Sequence, residues 1–310
     1  MAPGLALSVL ARSGLSVTLV LMTTTRVTRA TRRLALATVC ALGALTLASG
    51  PALADKAGDH YRKGLALKQR GKVKEAIAEL RKAVAARDNH VMAWASLGHL
   101  YKKSKKYDDA IKAYEKATSY SKKDAILWSN LGMAYYRANR VDDAIKALET
   151  SGRLEPKAAD VQANLGSIKR KMDDLPGALK HLRLAVKLAP KDASYRNNLG
   201  VAYRTSKEPA KASVEFKKAI ELDPTVAVYH FNLAVSYRHQ DMINEAITSY
   251  EAAVLLDPDY AYAWYDLGHM HRRNHDHDKA IEAFRQFLAL SKGKRSTMVE
   301  EAEKQIESLQ

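Results

Sequence analysis

Apolar and polar positions follow a helical period along most of this chain, and the pattern itself recurs every 34 residues. Residues 57 to 294 divide into seven units beginning at Ala57, Val91, Ala125, Ala159, Ala193, Ala227 and Ala261. Within a unit, one apolar stripe such as Trp128, Leu131 and Tyr135 precedes a polar turn, and a second stripe containing Leu148 follows it. That spacing predicts two amphipathic helices per unit. The eighth residue is small in every unit (Gly64, Gly98, Gly132, Gly166, Gly200, Ala234, Gly268), and the twentieth is alanine, from Ala76 to Ala280. Small residues at fixed places allow two helices to approach closely. Pro156, Pro190, Pro224 and Pro258 stand in register, where each ends a second helix and opens the next unit.

The stretches WASLGHLY, WSNLGMAY, QANLGSIK, RNNLGVAY, HFNLAVSY and WYDLGHMH align without gaps. Their pattern, W-x2-L-G-x2-Y followed by A-x3-Y, A and P, resembles the tetratricopeptide repeat family over 238 of 310 residues. The resemblance implies an all-α fold, a right-handed α-solenoid of antiparallel helix pairs in which stacked neighbours share one core. It also implies that the first helix of each pair lines a concave groove that receives partner peptides. The units then span 57–90, 91–124, 125–158, 159–192, 193–226, 227–260 and 261–294. His60 and Leu67 in repeat one and Lys169 in repeat four depart from the family's aromatic positions. Phe287 reads as a packing surface for a capping helix within 295–310. There Thr297 and Glu300 form a capping box and Met298, Ala302 and Ile306 share a face.

Residues 1–54 read as an export signal. Arg26, Arg29, Arg32 and Arg33 precede an uncharged run from Leu34 that ends in Ala52-Leu53-Ala54, so cleavage is expected after Ala54. Met22 is the better-placed initiator, because counting from Met1 gives an overlong signal. The alternative, an uncleaved anchor, is disfavoured by the cleavage motif, and no stable membrane insertion is expected after cleavage. Cys40, the one cysteine, lies within this segment, so the mature chain is expected to have no disulfide or thiolate chemistry. The expected location is exported, periplasmic or envelope-associated.

The family's groove positions fall on Asn130, Asn164, Asn198 and Asn232, with Asp266 completing the row. The row resembles the asparagine ladder in the repeats of O-linked N-acetylglucosamine transferase. An asparagine offers a donor and an acceptor, which matches the backbone of an extended peptide without demanding a side chain. The competing reading is that the amides simply occupy a solvent-exposed, tolerant position. The twelfth position is basic in six repeats: Lys68, Lys102, Arg170, Arg204, Arg238 and Arg272, with Tyr136 the exception. The chain carries a formal charge of +16. Without segment 1–54, which holds five arginines and no acidic residue, 45 basic residues remain against 34 acidic ones. An acidic partner is therefore expected, with a merely solubilising surface as the alternative.

His269, His271, His275 and His277 in repeat seven, beside Asp276 and Asp278, could supply ligands to a divalent metal. Histidines two apart on a helix do not face one another, however, His271 holds a core tyrosine position and His275 and His277 fall in the turn, so a structural or solvent role is expected instead. No metal, cofactor or catalytic residue is expected, because the repeats leave no room for a phosphate loop or nucleophile motif. Export would separate the chain from cytoplasmic RNA, so no nucleic-acid partner is expected. The leading expectation is a monomeric, exported scaffold that binds an extended, acidic polypeptide. The alternative is a periplasmic assembly factor or chaperone for envelope, cytochrome or pilus components.

Overall fold

The computed structural model describes residues 55–293 and 296–310. The predicted signal segment, including Cys40 and the expected cleavage after Ala54, lies outside the described residues. From Ala57 onward the chain forms one compact unit. It is all α: fifteen helices among the described residues, fourteen of them in seven antiparallel pairs typical of a tetratricopeptide superhelix. The pairs are α1 Lys56–Gln69 with α2 Val73–Ala86, α3 Val91–Lys103 with α4 Tyr107–Tyr120, and α5 Ala125–Arg137 with α6 Val141–Leu154. They continue with α7 Ala159–Lys171 and α8 Leu175–Leu188, then α9 Ala193–Thr205 and α10 Pro209–Leu222. The last are α11 Ala227–Arg238 with α12 Ile243–Leu256 and α13 Ala261–Arg273 with α14 His277–Leu290, and α15 Thr297–Leu309 closes the array.

Each turn inside a pair is built the same way. After α3 the chain places Lys105 in the left-handed region at φ 58°, the Lys106 N–H donates to the Tyr101 carbonyl at 2.9 Å, and the Lys105 N–H donates to Lys102 at 3.1 Å. These two bonds satisfy carbonyls the helix end would otherwise leave unpaired. Asn139, Asp173, Lys207, Asp241 and His275 repeat the conformation, and in repeat one Gly71 supplies it without a side chain.

The close approach inside each pair centres on the eighth residue. A Cβ at Gly166 would stand 2.6 Å from Leu182 Cγ and 3.0 Å from the Ala178 carbonyl, and one at Gly200 would stand 2.6 Å from the Phe216 ring. Leu80, Tyr114, Leu148, Leu182, Phe216, Tyr250 and Phe284 fill this place on the second helices, all buried. Each second helix then packs on the first helix of the next repeat, and first helices also touch one another.

Two further contacts tie neighbours. The fourth residue reaches back over the inter-repeat turn: the indole N–H groups of Trp94, Trp128 and Trp264 donate to the carbonyls of Asp88, Lys122 and Pro258 at 2.6, 2.8 and 2.9 Å. Arg196 and His230 make the same bond to Pro190 and Pro224, both at 3.0 Å. The tryptophans are thus polar clamps as well as half-buried packing groups. The eleventh residue meets the second helix of the preceding repeat. Tyr101 accepts from Arg81 at 2.7 Å, Tyr203 accepts from Arg183 at 3.0 Å, and Tyr135 donates to Glu115 at 2.6 Å.

The capping helix begins one residue earlier in its signals than expected. Ser296, not Thr297, is the N-cap: its hydroxyl accepts from the Val299 N–H at 3.3 Å, and Glu300 lies one residue beyond the position that would close a capping box. Met298, Ala302 and Ile306 do pack toward Phe284 and Phe287.

Gly166→Ala is expected to destabilise the protein by about 1–3 kcal/mol in urea unfolding. Overpacking against a branch carbon and a carbonyl exceeds the gain of about 1 kcal/mol in helix propensity. A second prediction concerns His271, which holds the tyrosine position of repeat seven. It is buried, its Nδ1 has no partner, and its Nε2 stands 3.8 Å from Glu251 Oε1. Burial pushes its pKa below the ordinary value, with Asp276 and Glu251 opposing. The unfolded chain therefore binds more protons as pH falls through about 6.5, so this stability is present above that pH and lost below it. His271→Tyr is expected to add about 1 kcal/mol by donating to Glu251 as Tyr135 does to Glu115, and to flatten the loss of urea midpoint between pH 7 and 5. An unchanged slope would show that other groups govern it.

Candidate polypeptide-binding face

The sixth and twelfth residues lie along the seams between successive first helices. Lys102 Nζ on α3 donates to Asn130 Oδ1 on α5 at 3.1 Å. Arg204 on α9 donates to Asn232 Oδ1 on α11 at 3.1 Å, and Arg238 on α11 to Asp266 Oδ1 on α13 at 2.8 Å. In each case a cation reaches the sixth residue of the next repeat. The expected amides and expected cations are here partners of one another.

The rungs differ in what remains available. Asn232 is 6% exposed, and its Nδ2 also donates to Asn197 Oδ1 at 2.9 Å. Asp266 takes a second hydrogen bond from the Tyr250 hydroxyl at 3.1 Å. Asn130, half-buried, donates to the Ile126 carbonyl of its own helix at 3.0 Å. Asn164 and Asn198 are half-buried and have no side-chain hydrogen bond among the described residues, and the same is true of Arg170.

Arg272, on the exposed end of the row, donates to Gln305 Oε1 at 2.7 Å. Gln305 thus takes the place of a rung on α15, which stands where the first helix of another repeat would. Counting in steps of 34 misses it, because Gln305 follows Arg272 by 33 residues while the other pairs are 28 apart. The longer connection after α14 breaks the phase, and no residue pattern in 295–310 restores it.

The face is electropositive. Burial holds the Lys102 ammonium below its ordinary pKa, with Arg137 adding to the effect. Burial does the same to Arg204, and the charges of Arg170 and Arg238 also lower it. Both shifts reflect the cost of holding a positive charge partly away from water. His269 is pushed down by burial and by Arg272, and its ring stands against Tyr265 and Phe284 at 4.5 and 5.0 Å. The histidines of repeat seven diverge: His269 lies against these rings, His271 is buried toward Glu251, His275 sits in the left-handed turn, and His277 begins α14. Among the described residues no group of three or more His, Cys, Asp or Glu side chains is gathered to hold a metal ion.

The most strongly perturbed carboxylate lies elsewhere. Glu79 on α2 is buried and its pKa is lowered to about 2, by hydrogen bonds from Lys82, His60 and Lys63 at 2.9, 2.8 and 3.1 Å. His60 is the residue that departs from the aromatic pattern in repeat one, and with Lys63 it clasps α1 to α2. Among the described residues no helix is long and apolar enough to cross a membrane.

Among solved structures, the C-terminal part of a TPR repeat-containing protein from Cytophaga hutchinsonii is 21% identical, with a TM-score of 0.65 over 79% of this chain and 99% of that one. A tetratricopeptide repeat protein from Parabacteroides merdae is 14% identical, with a TM-score of 0.62 over 82% and 98%. YrrB, described as a TPR protein with an unusual peptide-binding site, is 20% identical, with a TM-score of 0.53 over 63% and 100%. These likenesses show the fold. No curated protein sequence matches the chain. A family model described as Tetratricopeptide repeat matches residues 231–294, within the last two repeats. A second, described as Cilia and flagella-associated protein 70 C-terminal domain, matches residues 20–261, of which 20–54 fall in the segment read as a signal. With helix pairs, repeat signature and a family match over most of its length in agreement, the chain belongs to the tetratricopeptide repeat family of the Cilia and flagella-associated protein 70 C-terminal domain, a protein–protein interaction fold.

Proposed function

We propose that this chain is an exported, non-enzymatic scaffold that binds an extended acidic polypeptide along the face formed by its first helices. The observation that carries this reading is the row of cations on α3, α7, α9, α11 and α13 interleaved with amides at the adjacent seams. Cations attract an acidic segment and amides pair with its backbone, so affinity comes from charge and main chain more than from particular side chains. YrrB, a TPR protein with an unusual peptide-binding site, lends the fold a precedent. The name of the matched family favours a second reading of location, a scaffold in a ciliary or flagellar assembly.

Two measurements test these readings. A fluorescein-labelled peptide of alternating Asp and Ala should raise in anisotropy on titration with the protein, and its affinity should fall as ionic strength rises, while a Lys–Ala counterpart should not bind. Equal binding of both peptides would defeat the acidic-partner reading. N-terminal sequencing of the protein isolated from its own cells should begin at Asp55 and the protein should fractionate outside the cytoplasm. A retained N-terminus in the cytoplasmic fraction would remove export and favour the ciliary alternative.

A further inference from the structure

The cation-to-rung bonds are unevenly distributed. They join repeat two to three, five to six, six to seven, and seven to α15. Between repeats three and five the pattern lapses twice. Tyr136 holds the twelfth position of repeat three, and instead of a cation reaching Asn164, the ring receives Lys171 Nζ at 5.3 Å from its centroid. Arg170 is present in repeat four but does not hydrogen-bond Asn198.

Helix α7 extends the lapse. Asn164, Ser167 and Lys171 are spaced to share one helix face, and Arg170 borders it. Asn164, Ser167 and Arg170 are half-buried, and none has a side-chain hydrogen bond among the described residues. At a paired rung, an incoming chain must first break a hydrogen bond to a charged group. At an unpaired rung it has only to displace solvent. The buried apolar cluster at the junction of repeats four and five is small, with Leu182, Leu199 and Ala202 as its buried members. On the first-helix face the middle is therefore where the amide rungs are left unengaged by neighbouring repeats, although Arg183 and Arg196 still tie repeats four and five through Tyr203 and Pro190.

We propose that the polypeptide is gripped at the middle of the array, by Asn164, Ser167, Arg170 and Asn198 on α7 and α9, and that the paired rungs toward either end are staples between repeats. The occupant is an extended acidic segment: a carboxylate side chain meets Arg170, and its backbone N–H and carbonyl groups meet the amides of Asn164 and Asn198. This rests on the reading of the first-helix face as the binding surface, and it divides that face into residues that hold ligand and residues that hold the fold.

The same Asp–Ala peptide, titrated into the protein and its variants, tests the division when urea unfolding is measured alongside. Asn164→Ala with Asn198→Ala should weaken binding about tenfold and leave the urea midpoint unchanged. Asn232→Ala should lower the midpoint and leave binding within about twofold. If that variant does not fold, Asn130→Ala serves as the paired-rung control, because its amide is half-buried rather than buried. Arg170→Ala should reduce the dependence of affinity on salt. Binding by the natural protein that is indifferent to the double substitution, or as sensitive to a paired rung, overturns the division alone. No binding of the acidic peptide by the natural protein overturns the underlying reading as well.

Discussion

A bare backbone at the eighth residue of each first helix lets a large side chain of the second helix lie directly against it. Leu182 beside Gly166 and Phe216 beside Gly200 leave less room than a methyl group requires. That contact fixes how closely the two helices of a repeat approach, and through it which side of the first helix stays out of the core. Six of seven repeats use glycine, and repeat six accommodates Ala234. A pair so formed still has one apolar side uncovered, and only the next pair covers it. The buried clusters accordingly span neighbouring repeats, as when Leu80 of repeat one groups with Leu97 and Leu131 of repeats two and three.

Polar groups complete what apolar packing leaves loose. In five repeats the fourth residue clamps the turn between repeats. In repeats two, three and five the eleventh engages the preceding second helix, and in repeats two, five and six the twelfth reaches the sixth residue of the following repeat. These bonds tolerate changes of residue type while keeping their geometry. Tryptophan, arginine and histidine all donate to the same carbonyl position, because each carries an N–H at the end of a side chain of similar reach. A half-buried cation gains from a partner, and Lys102, Arg204 and Arg238 find one in the sixth-position oxygen one repeat on.

The same economy of residue types explains why a groove is hard to read from a repeat sequence. Asparagine and arginine at regular spacing are suited both to a peptide ligand and to each other. Asn130, Asn232 and Asp266 are bound by cations from neighbouring repeats, while Asn164 and Asn198 are not. Part of this difference is visible in the chain, since Tyr136 interrupts the basic row. The rest is not, because Arg170 has the composition of its neighbours and only its placement leaves Asn198 without it.

The amino-acid sequence by itself determined the all-α class, the two helices in each repeat and the small-to-large contact between them, because period and residue size act locally and recur. It also marked a final helix packing on Phe287, although the cap proved to be Ser296, since serine and threonine satisfy the same local rule one residue apart. Tertiary structure alone decided which groove residues pair with each other, that Gln305 continues the row, and that His271 is buried near Glu251. Those outcomes depend on distances across repeat boundaries, where a change in connection length or a side chain's reach shifts a hydrogen bond without altering the repeat pattern.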